Sequence, residues 1–262
     1  MLLAVTTTLH PTSAEVEAAL AAAGRFGLPY LARRARAISR VLAEAGVEAA
    51  LILSSTRAVL SAQGHDHAWS PGMGALRLKR YLEGSRRRVP TNRDPFLEAA
   101  GILPGDAVLD CTAGMGADAL VASAAAGRGG RVVALESSAV LAAWTGEGLR
   151  RYPAEAARRV EVLQADHREW LARAEPRSFD VVVFDPMFRH ARAEPAGFEV
   201  VRRLSDPRPL SAEALADARR VARRWVLVKD GAPGWDLARL GLTPLPSARG
   251  AHRYYARVPA AT

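Results

Sequence analysis

Apolar residues are spaced in two distinct ways along this chain of 262 residues. After residue 106, short runs rich in β-branched residues alternate with stretches of Ala, Arg and Leu whose apolar positions recur at helical spacing. Predicted strands cover residues 107–110, 131–135, 160–163, 180–184, 225–228 and 252–258, and predicted helices cover residues 117–126, 138–150, 167–174 and 212–222. This alternation is typical of βαβ units. It predicts an α/β domain with a parallel sheet and helices on both faces.

The first 70 residues carry a different pattern. Apolar segments at 2–7, 28–31 and 49–53 flank helical patterns at 13–23 and 38–45. They predict a small N-terminal α/β unit that captures substrate or supports the active site. The following stretch is rich in Gly, Arg and Pro. We therefore divide the chain into an N-terminal unit over residues 1–70, a basic linker over 71–94 and a larger domain over 95–262.

Composition narrows the class of protein. Hydrophobic residues make up 49% of the chain and the mean hydropathy is −0.02, as expected of a soluble globular protein. No apolar run is long enough to span a membrane, and the first residues lack a signal-peptide pattern. Cys111 is the only cysteine, which excludes an intrachain disulfide and suits a cytoplasmic protein. His65 and His67 flank Asp66 with no third ligand nearby in the sequence, so we expect a polar turn there and no bound metal.

A positive charge points to a polyanionic partner. The formal net charge is +9, and Lys79 and Lys229 are the only lysines among 36 basic residues. Nucleic acid is the first candidate, although an Arg-rich composition also follows from a GC-rich genome. The densest local cluster is the set we assign to substrate RNA, Arg77, Lys79, Arg80, Arg86, Arg87 and Arg88. It is either a phosphate-binding segment or a solvated charged face.

A glycine loop follows the first predicted strand of the larger domain. Residues Asp110 to Asp118 read Asp-Cys-Thr-Ala-Gly-Met-Gly-Ala-Asp and open a predicted helix. Gly114 and Gly116 permit a tight turn and a close approach of the backbone to a nucleotide. Because the third glycine of the dinucleotide pattern is replaced by Ala119, the loop alone leaves NAD as an alternative.

Acidic residues end the next two strands. Glu136 stands twenty residues after Gly116, where an acid can bind both ribose hydroxyls. Asp166 ends the third strand, where a carboxylate can accept a hydrogen bond from an adenine amino group. Ligands bind at the carboxyl ends of strands in open α/β sheets, which predicts a Rossmann-like cofactor site. The predicted cofactor-binding residues are Asp110, Thr112, Ala113, Gly114, Gly116, Glu136, Ser137, Asp166 and His167.

The fourth strand ends in Asp185-Pro186-Met187-Phe188. This tetrapeptide is similar to the Asp/Asn-Pro-Pro-Tyr/Phe motif of methyltransferases that act on exocyclic amino groups of bases. Hydrogen bonds from the amine to the Asp185 carboxylate and the Pro186 carbonyl free the nitrogen lone pair, and Phe188 stacks on the base. We therefore predict Asp185, Pro186 and Phe188 as catalytic residues, with an already activated methyl donor and neither a metal nor a covalent nucleophile.

These motifs together resemble the ribosomal small-subunit methyltransferase J family. Residues 71–80, the strand end Val228-Lys229 and the late segment 252–254 are also similar to that family, and the likeness runs from about Ser70 to the end. The resemblance implies a class I methyltransferase that uses S-adenosylmethionine (SAM) and methylates a guanine N2 of 16S ribosomal RNA. It implies ribosomal RNA or the small ribosomal subunit as partner, and no membrane.

The sequence departs from the family at two places. Ala117 stands where enterobacterial members carry Arg, and Arg189 stands where they carry Pro, while the N-terminal part is more similar to uncharacterised Gram-positive relatives. Three alternatives stay open: an adenine-N6 methyltransferase on DNA or RNA, a catalytically silent RNA-binding protein on the same fold, and an NAD-dependent oxidoreductase. The last leaves Asp185-Pro186-Met187-Phe188 unexplained.

Overall fold

The computed structural model describes residues 1–87, 94–186, 198–246 and 252–262; the side chains of 85–87 and 198 are not described. The N-terminal elements are β1 (Leu3–Thr7), α1 (Ser13–Arg25), α2 (Ile38–Ala45), β2 (Ala49–Leu53), β3 (Ala58–Ala62) and β4 (His65–Ala68). The elements that follow are α3 (Met73–Arg87), α4 (Pro95–Ala100), β5 (Ala107–Asp110), α5 (Ala117–Ala126), β6 (Arg131–Glu136), α6 (Ala139–Arg151), α7 (Glu155–Arg158), β7 (Val160–Gln164), α8 (His167–Arg173), β8 (Phe179–Phe184), α9 (Phe198–Leu204), α10 (Ala212–Val221), β9 (Ala222–Gly231), α11 (Trp235–Arg239) and β10 (Arg253–Pro259).

The larger sheet has six strands in the order β10-β9-β8-β5-β6-β7. Five strands are parallel, and β10 closes the edge antiparallel to β9. The chain leaves β5 toward β6 and β7 and then returns to β8 on the other side of β5. This reversal opens a crevice at the carboxyl ends of β5 and β8, where such sheets bind ligands. The predicted α/β fold with a parallel sheet is confirmed.

The N-terminal unit is a four-stranded sheet in the order β1-β2-β3-β4. Its first two strands are parallel, as expected of an α/β unit, while β3 and β4 were not predicted. The segment 28–31 contributes one isolated bridge, between Tyr30 and Val5, and no full strand. His65 and His67 lie on the edge strand β4 and not in a turn, because Gln63 and Gly64 make the turn before them. Within the described ranges, no three His, Cys, Asp or Glu residues group as metal ligands.

Most of the stretch interpreted as a linker is helical. Helix α3 covers 15 of its residues, because Leu78 packs into the core while the Lys and Arg residues around it are good helix formers. Gly74 allows α3 to touch α5, since a Cβ at this position would stand 2.9 Å from Cα of Ala117. Among the described residues of this stretch, the basic ones are therefore carried by a helix packed beside the glycine loop. The division into three segments stays a prediction.

Helix α6 lies between the two sheets, so its residues from Val140 to Leu149 are buried on all sides. The indole N–H of Trp144 donates to the carbonyl of Ala58 in the N-terminal sheet at 3.2 Å. The buried Glu147 carboxylate binds the guanidinium groups of Arg25 and Arg151. Helix α6 is thus the main contact through which the N-terminal unit is fixed to the larger sheet.

Among the helices in the described ranges, none combines the length and the apolar character that crossing a membrane would need.

Candidate active site

The glycine loop connects β5 to α5 in the geometry that its sequence predicts. Gly114 has φ +50° and Gly116 has φ +76°, in the left-handed region that favours glycine. A Cβ on Gly116 would stand 3.0 Å from Leu149, whereas a Cβ on Gly114 would meet nothing closer than 4.0 Å. The Thr145 hydroxyl donates to the Gly114 carbonyl at 2.7 Å. Gly116 therefore serves close packing, and Gly114 leaves an open cradle beside the backbone.

Asp110 and Thr112 join this loop to the end of β8. The Thr112 N–H donates to the Asp110 carboxylate at 3.0 Å, and the Thr112 hydroxyl accepts from the Asp185 N–H at 2.7 Å. Burial raises the pKa of Asp110 to about 7, although the hydrogen bond from Thr112 opposes the shift. Asp185 is thereby held beside the glycine loop. Cys111 packs in the hydrophobic core, and burial raises the pKa of its thiol.

Glu136, at the end of β6, organises the backbone around the loop. Its carboxylate accepts from the Gly114 N–H at 3.0 Å and from the Ser138 N–H at 2.9 Å. Burial raises the pKa of Glu136, while the two backbone N–H groups oppose that rise. Ala113 is buried, and its N–H donates to the Leu135 carbonyl at 2.9 Å. The predicted ribose-binding acid thus lies beside the loop and orients it.

Asp166 and His167 lie at the start of α8. Asp166 caps the helix by accepting from the Arg168 N–H at 2.9 Å, and its other oxygen pairs with Arg168 at 2.7 Å and Arg208 at 3.1 Å. His167 packs edge-on against Phe184 at 5.4 Å, and burial lowers its pKa to about 4. Its Nε2 atom is buried without a hydrogen-bond partner among the described residues. Such a neutral, unsatisfied nitrogen suits a site that a polar ligand completes.

Two adjoining cavities connect these residues. An inner cavity of about 70 Å³ is lined by the loop residues Thr112 and Gly114 together with Glu136, His167 and Asp185. A more open cleft of about 650 Å³ reaches Asp166 and Trp170. Both are bordered by Ser137, Ser205, Asp206 and Arg208. Of the predicted cofactor-binding residues, Thr112, Gly114, Glu136, Ser137, Asp166 and His167 thus line one continuous crevice, whereas Asp110, Ala113 and Gly116 do not.

A row of alternating charges runs from α4 to the end of β8. Arg77 binds Asp94 through two hydrogen bonds, at 2.6 and 3.0 Å, and donates to Asp118 at 2.5 Å. The Lys229 ammonium donates to Asp118 at 2.9 Å and also to Asp185. The order of this charged row is Asp94, Arg77, Asp118, Lys229, Asp185.

Burial and pairing compete within the charged row. Burial raises the pKa of Asp118, but Lys229 and Arg77 outweigh it and hold the pKa below its usual range. Burial lowers the pKa of Lys229, but Asp118 and Asp185 outweigh it and raise the pKa. For Asp185 burial dominates, and its pKa is raised although Lys229 opposes the rise. Of the two carboxylates that bind Lys229, Asp185 is therefore the easier to protonate.

Not every predicted substrate-binding residue faces outward. The structure corrects the phosphate contact expected of Arg77, because its guanidinium is largely buried and bound by two carboxylates of the charged row. Lys79 and Arg80, on the same helix, are exposed. Arg86 and Arg87 belong to α3 but their side chains are not described, and Arg88 and Phe188 lie outside the described residues.

Sequence reasoning missed several residues of this site. It read Lys229 only as part of a strand end, and it gave Asp118 no role. A usable signal was available for Lys229, since a lysine right after an apolar strand is unusual in a chain where all but two of the 36 basic residues are Arg. Arg208 and Asp206 carried no comparable signal, because they lie in an irregular segment before α10.

Comparisons with known proteins give matches that cover most of the chain. The chain matches the model of the family described as "Putative SAM-dependent methyltransferase" over residues 46–239. It is 30% identical over 232 residues to the uncharacterized protein YpiP of Bacillus subtilis, a match that covers 86% of this chain and 88% of YpiP. It is 35% identical over 183 residues to the ribosomal RNA small subunit methyltransferase J of Halorhodospira halophila, covering 65% of this chain and 61% of that protein.

A solved structure supports the fold. The crystal structure of a SAM-dependent methyltransferase from Neisseria gonorrhoeae superposes with a TM-score of 0.59, covering 98% of this chain and 95% of that one. The two sequences are 19% identical over this match.

Proposed function

Because this chain belongs to the SAM-dependent methyltransferase family, we propose that it methylates an exocyclic amino group, guanine N2, of 16S ribosomal RNA. SAM is its cofactor, so the NAD alternative falls away. The observation that carries the proposal is the position of Asp185 and Pro186, which follow β8 and border the same inner cavity as Gly114 and Glu136. Ligands bind at the carboxyl ends of strands in open α/β sheets, so an amine that binds at Asp185 and Pro186 would lie next to a cofactor in this cavity.

The crevice has the features that SAM requires. In this proposal SAM approaches the backbone of the glycine loop closely at Gly114, where the structure leaves open space. Glu136 and Ser137 bind the ribose, and Asp166 and His167 lie near the adenine. The unsatisfied Nε2 of His167 supports this fit. When bound, SAM supplies a methyl group that its sulfonium already activates. The protein therefore has only to bind, orient and polarise the acceptor.

Asp185 and Pro186 act on that acceptor. The Asp185 carboxylate accepts one N–H of the amine and the Pro186 carbonyl accepts the other, which draws the nitrogen lone pair out of the ring. One side-chain oxygen of Asp185, Oδ2, is bound to Lys229, and Oδ1 has no hydrogen-bond partner among the described residues. In our proposal this free oxygen receives the amine, and Phe188 holds the base by stacking.

Replacing Glu136 tests cofactor binding. Glu136→Ala removes the acceptor for two loop N–H groups and for the ribose, so we expect SAM affinity to fall by about 1–2 kcal/mol. Isothermal titration calorimetry with SAM measures the change. Glu161→Ala is the matched control, because Glu161 lies exposed on the neighbouring strand β7 and should leave the affinity unchanged. Equal affinities of Glu136→Ala and the unmodified protein would contradict the assignment.

Ribosomal RNA is favoured as substrate by two observations. Relatives from several bacteria carry the name ribosomal RNA small subunit methyltransferase J. Lys79 and Arg80 are exposed on α3, the helix that packs against the start of α5 beside the glycine loop. A stacked guanine cannot bring its amino group to the methyl donor, so the enzyme takes an unpaired or flipped base. We propose that these two residues contact phosphates near it, extended by Arg86, Arg87 and Arg88, in the cytoplasm.

Salt dependence tests that contact. Replacing Lys79 and Arg80 together by Ala should flatten the log–log dependence of RNA affinity on salt by about 1.5, at roughly 0.7–0.9 per lost phosphate contact. Fluorescence anisotropy with a labelled 16S fragment measures the slope. The matched control replaces Arg128 and Arg131, which are exposed near the amino end of β6, away from the carboxyl strand ends that form the crevice. A slope that changes equally in both double variants would contradict the proposed face.

A direct assay tests the substrate class. Tritiated SAM is offered with 16S RNA, assembled small subunits, DNA or a protein lysate, and incorporation is followed by mapping of the modified nucleotide. We expect label in a ribosomal substrate, at guanine N2. Label at adenine N6 would favour the second methyltransferase reading, and label in DNA or protein alone would overturn the RNA assignment. Absence of transfer to every acceptor would favour a silent RNA-binding protein.

A further inference from the structure

Lys229 is placed by backbone geometry directly beside the proposed catalytic carboxylate. Strands β8 and β9 are parallel, and Phe184 is aligned with Val228, so Asp185 and Lys229 follow as the next pair. On its other side Lys229 is aligned with Tyr255 of β10. Only 6% of Lys229 is exposed, so its ammonium cannot be satisfied by bulk water.

Nearly every carboxylate oxygen of the charged row has a hydrogen-bond partner within the row. Asp94 accepts from Arg77 and from the N–H groups of Phe96 and Leu97 at the start of α4. Both oxygens of Asp118 are taken, one by Arg77 and one by Lys229. The backbone of α4 thus fixes the row at its far end. At its near end, Oδ1 of Asp185 is the carboxylate oxygen of the row that has no hydrogen-bond partner among the described residues.

The choice of lysine is chemically informative. The chain uses Arg for nearly every cation, and a guanidinium would offer five donors in a planar fork. An ammonium is compact and binds one oxygen from each of two carboxylates. A buried ion of this kind is costly unless its partners are fixed, and the row supplies fixed partners. The ammonium of Lys229 suits this position because it binds one oxygen of Asp185, Oδ2, and does not engage the other.

We propose that Lys229 is a positioning residue for methyl transfer: its ammonium holds Oδ2 of Asp185, so that Oδ1 is presented to the substrate amine, and Asp118 with Arg77 and Asp94 holds the ammonium in place. The inference rests on the role proposed for Asp185. It predicts that the charged row also sets the pH below which Asp185 is protonated. Among the residues that the structure describes, the other charged or titratable groups facing this pair are Asp110 on β5 and Arg253 and Tyr255 on β10.

Two substitutions should move the acidic limb of the pH profile of kcat in opposite directions. Lys229→Met removes the charge that favours the carboxylate, so the limb should shift to higher pH by about one pH unit, with kcat at neutral pH lower by about tenfold. Asp118→Asn removes a like charge, so the limb should shift to lower pH. SAM affinity by calorimetry should stay within a few-fold in both. Arg223→Met is the control, because Arg223 is the exposed cation at the opposite end of β9, and its pH profile should match the unmodified enzyme.

A second readout needs no substrate. Carbon NMR of aspartate-labelled protein, with the Asp185 signal assigned from Asp185→Asn, follows its titration in each variant. If Lys229→Met does not fold, Lys229→Gln, which removes the charge but keeps a hydrogen-bond donor, should shift the titration in the same direction. Unmoved titrations, or a loss of kcat by the same factor at every pH, would overturn the positioning role. An unmodified enzyme that methylates no acceptor would overturn the proposed function instead, while the NMR result still tests Lys229.

Discussion

Asp185→Ala is expected to lower kcat on the order of a hundredfold while SAM affinity stays within a few-fold. The variant loses the acceptor that polarises the amine, a contact made fully only in the transition state. Its fold should survive, because Lys229 keeps its hydrogen bond to Asp118 and the Thr112 hydroxyl binds the backbone of residue 185. Single-turnover transfer of tritiated methyl to the ribosomal substrate measures the rate, and calorimetry measures the cofactor.

The conservative change separates charge from geometry. Asp185→Asn keeps one acceptor oxygen and should retain more activity than Asp185→Ala. Asp217→Ala, on α10 away from the crevice, serves as the control and should be fully active. If Asp185→Ala turns over at the unmodified rate, the carboxylate is structural and the mechanism proposed above is wrong.

Glu147→Ala is expected to lower the free energy of unfolding by about 3 kcal/mol. Only 2% of the Glu147 side chain is exposed, and it binds Arg25 and Arg151. Its removal leaves Arg151, itself 9% exposed, with an uncompensated charge between the two sheets. Urea denaturation followed by circular dichroism gives the difference.

The chain provides a matched control for this prediction. Glu44 also binds two arginines, Arg36 and Arg40, but on the surface. Exposed pairs contribute little because water already solvates both partners, so Glu44→Ala should change stability far less. Similar losses in the two variants would mean that burial of Glu147 is not what makes its ion pairs important.

Local signals explain which parts of the molecule were predictable. The parallel strands of the larger sheet are runs rich in β-branched residues, and the glycine loop has a characteristic spacing. The sequence therefore predicts Gly114, Glu136 and Asp185 near the carboxyl ends of these strands, which is where they lie in the structure. The motifs indicate a SAM-dependent methyltransferase, and the family match confirms this. The roles given to individual residues stay predictions.

The features that the sequence did not predict depend mostly on contacts between residues far apart in the sequence. β4 is short, polar and exposed, so it carries no apolar alternation to reveal it. Helix α3 was not predicted because Gly72 and Gly74 are typical of loops. In the structure Gly72 lies in the turn before the helix, and Gly74 allows the contact with α5. The true partners of Arg77 are 17 and 41 residues away in sequence, and Lys229 is 111 residues from Asp118. A cluster of like charges does not reveal which of its members are buried.

The contact of α6 with the N-terminal unit limits how such an enzyme can diverge. Gly148 leaves room for the Trp69 ring, since a Cβ there would stand 2.0 Å from it, and Gly146 does the same for Phe26 at 2.8 Å. A larger residue at either glycine is tolerated only if the aromatic residue that it faces is replaced by a smaller one in the same lineage. Exchange of the N-terminal sheet for an unrelated substrate-capturing module therefore requires compensatory substitutions along α6, the helix whose first turn follows Glu136. Recombination at this junction is therefore constrained by the packing of Gly146 and Gly148 against Phe26 and Trp69.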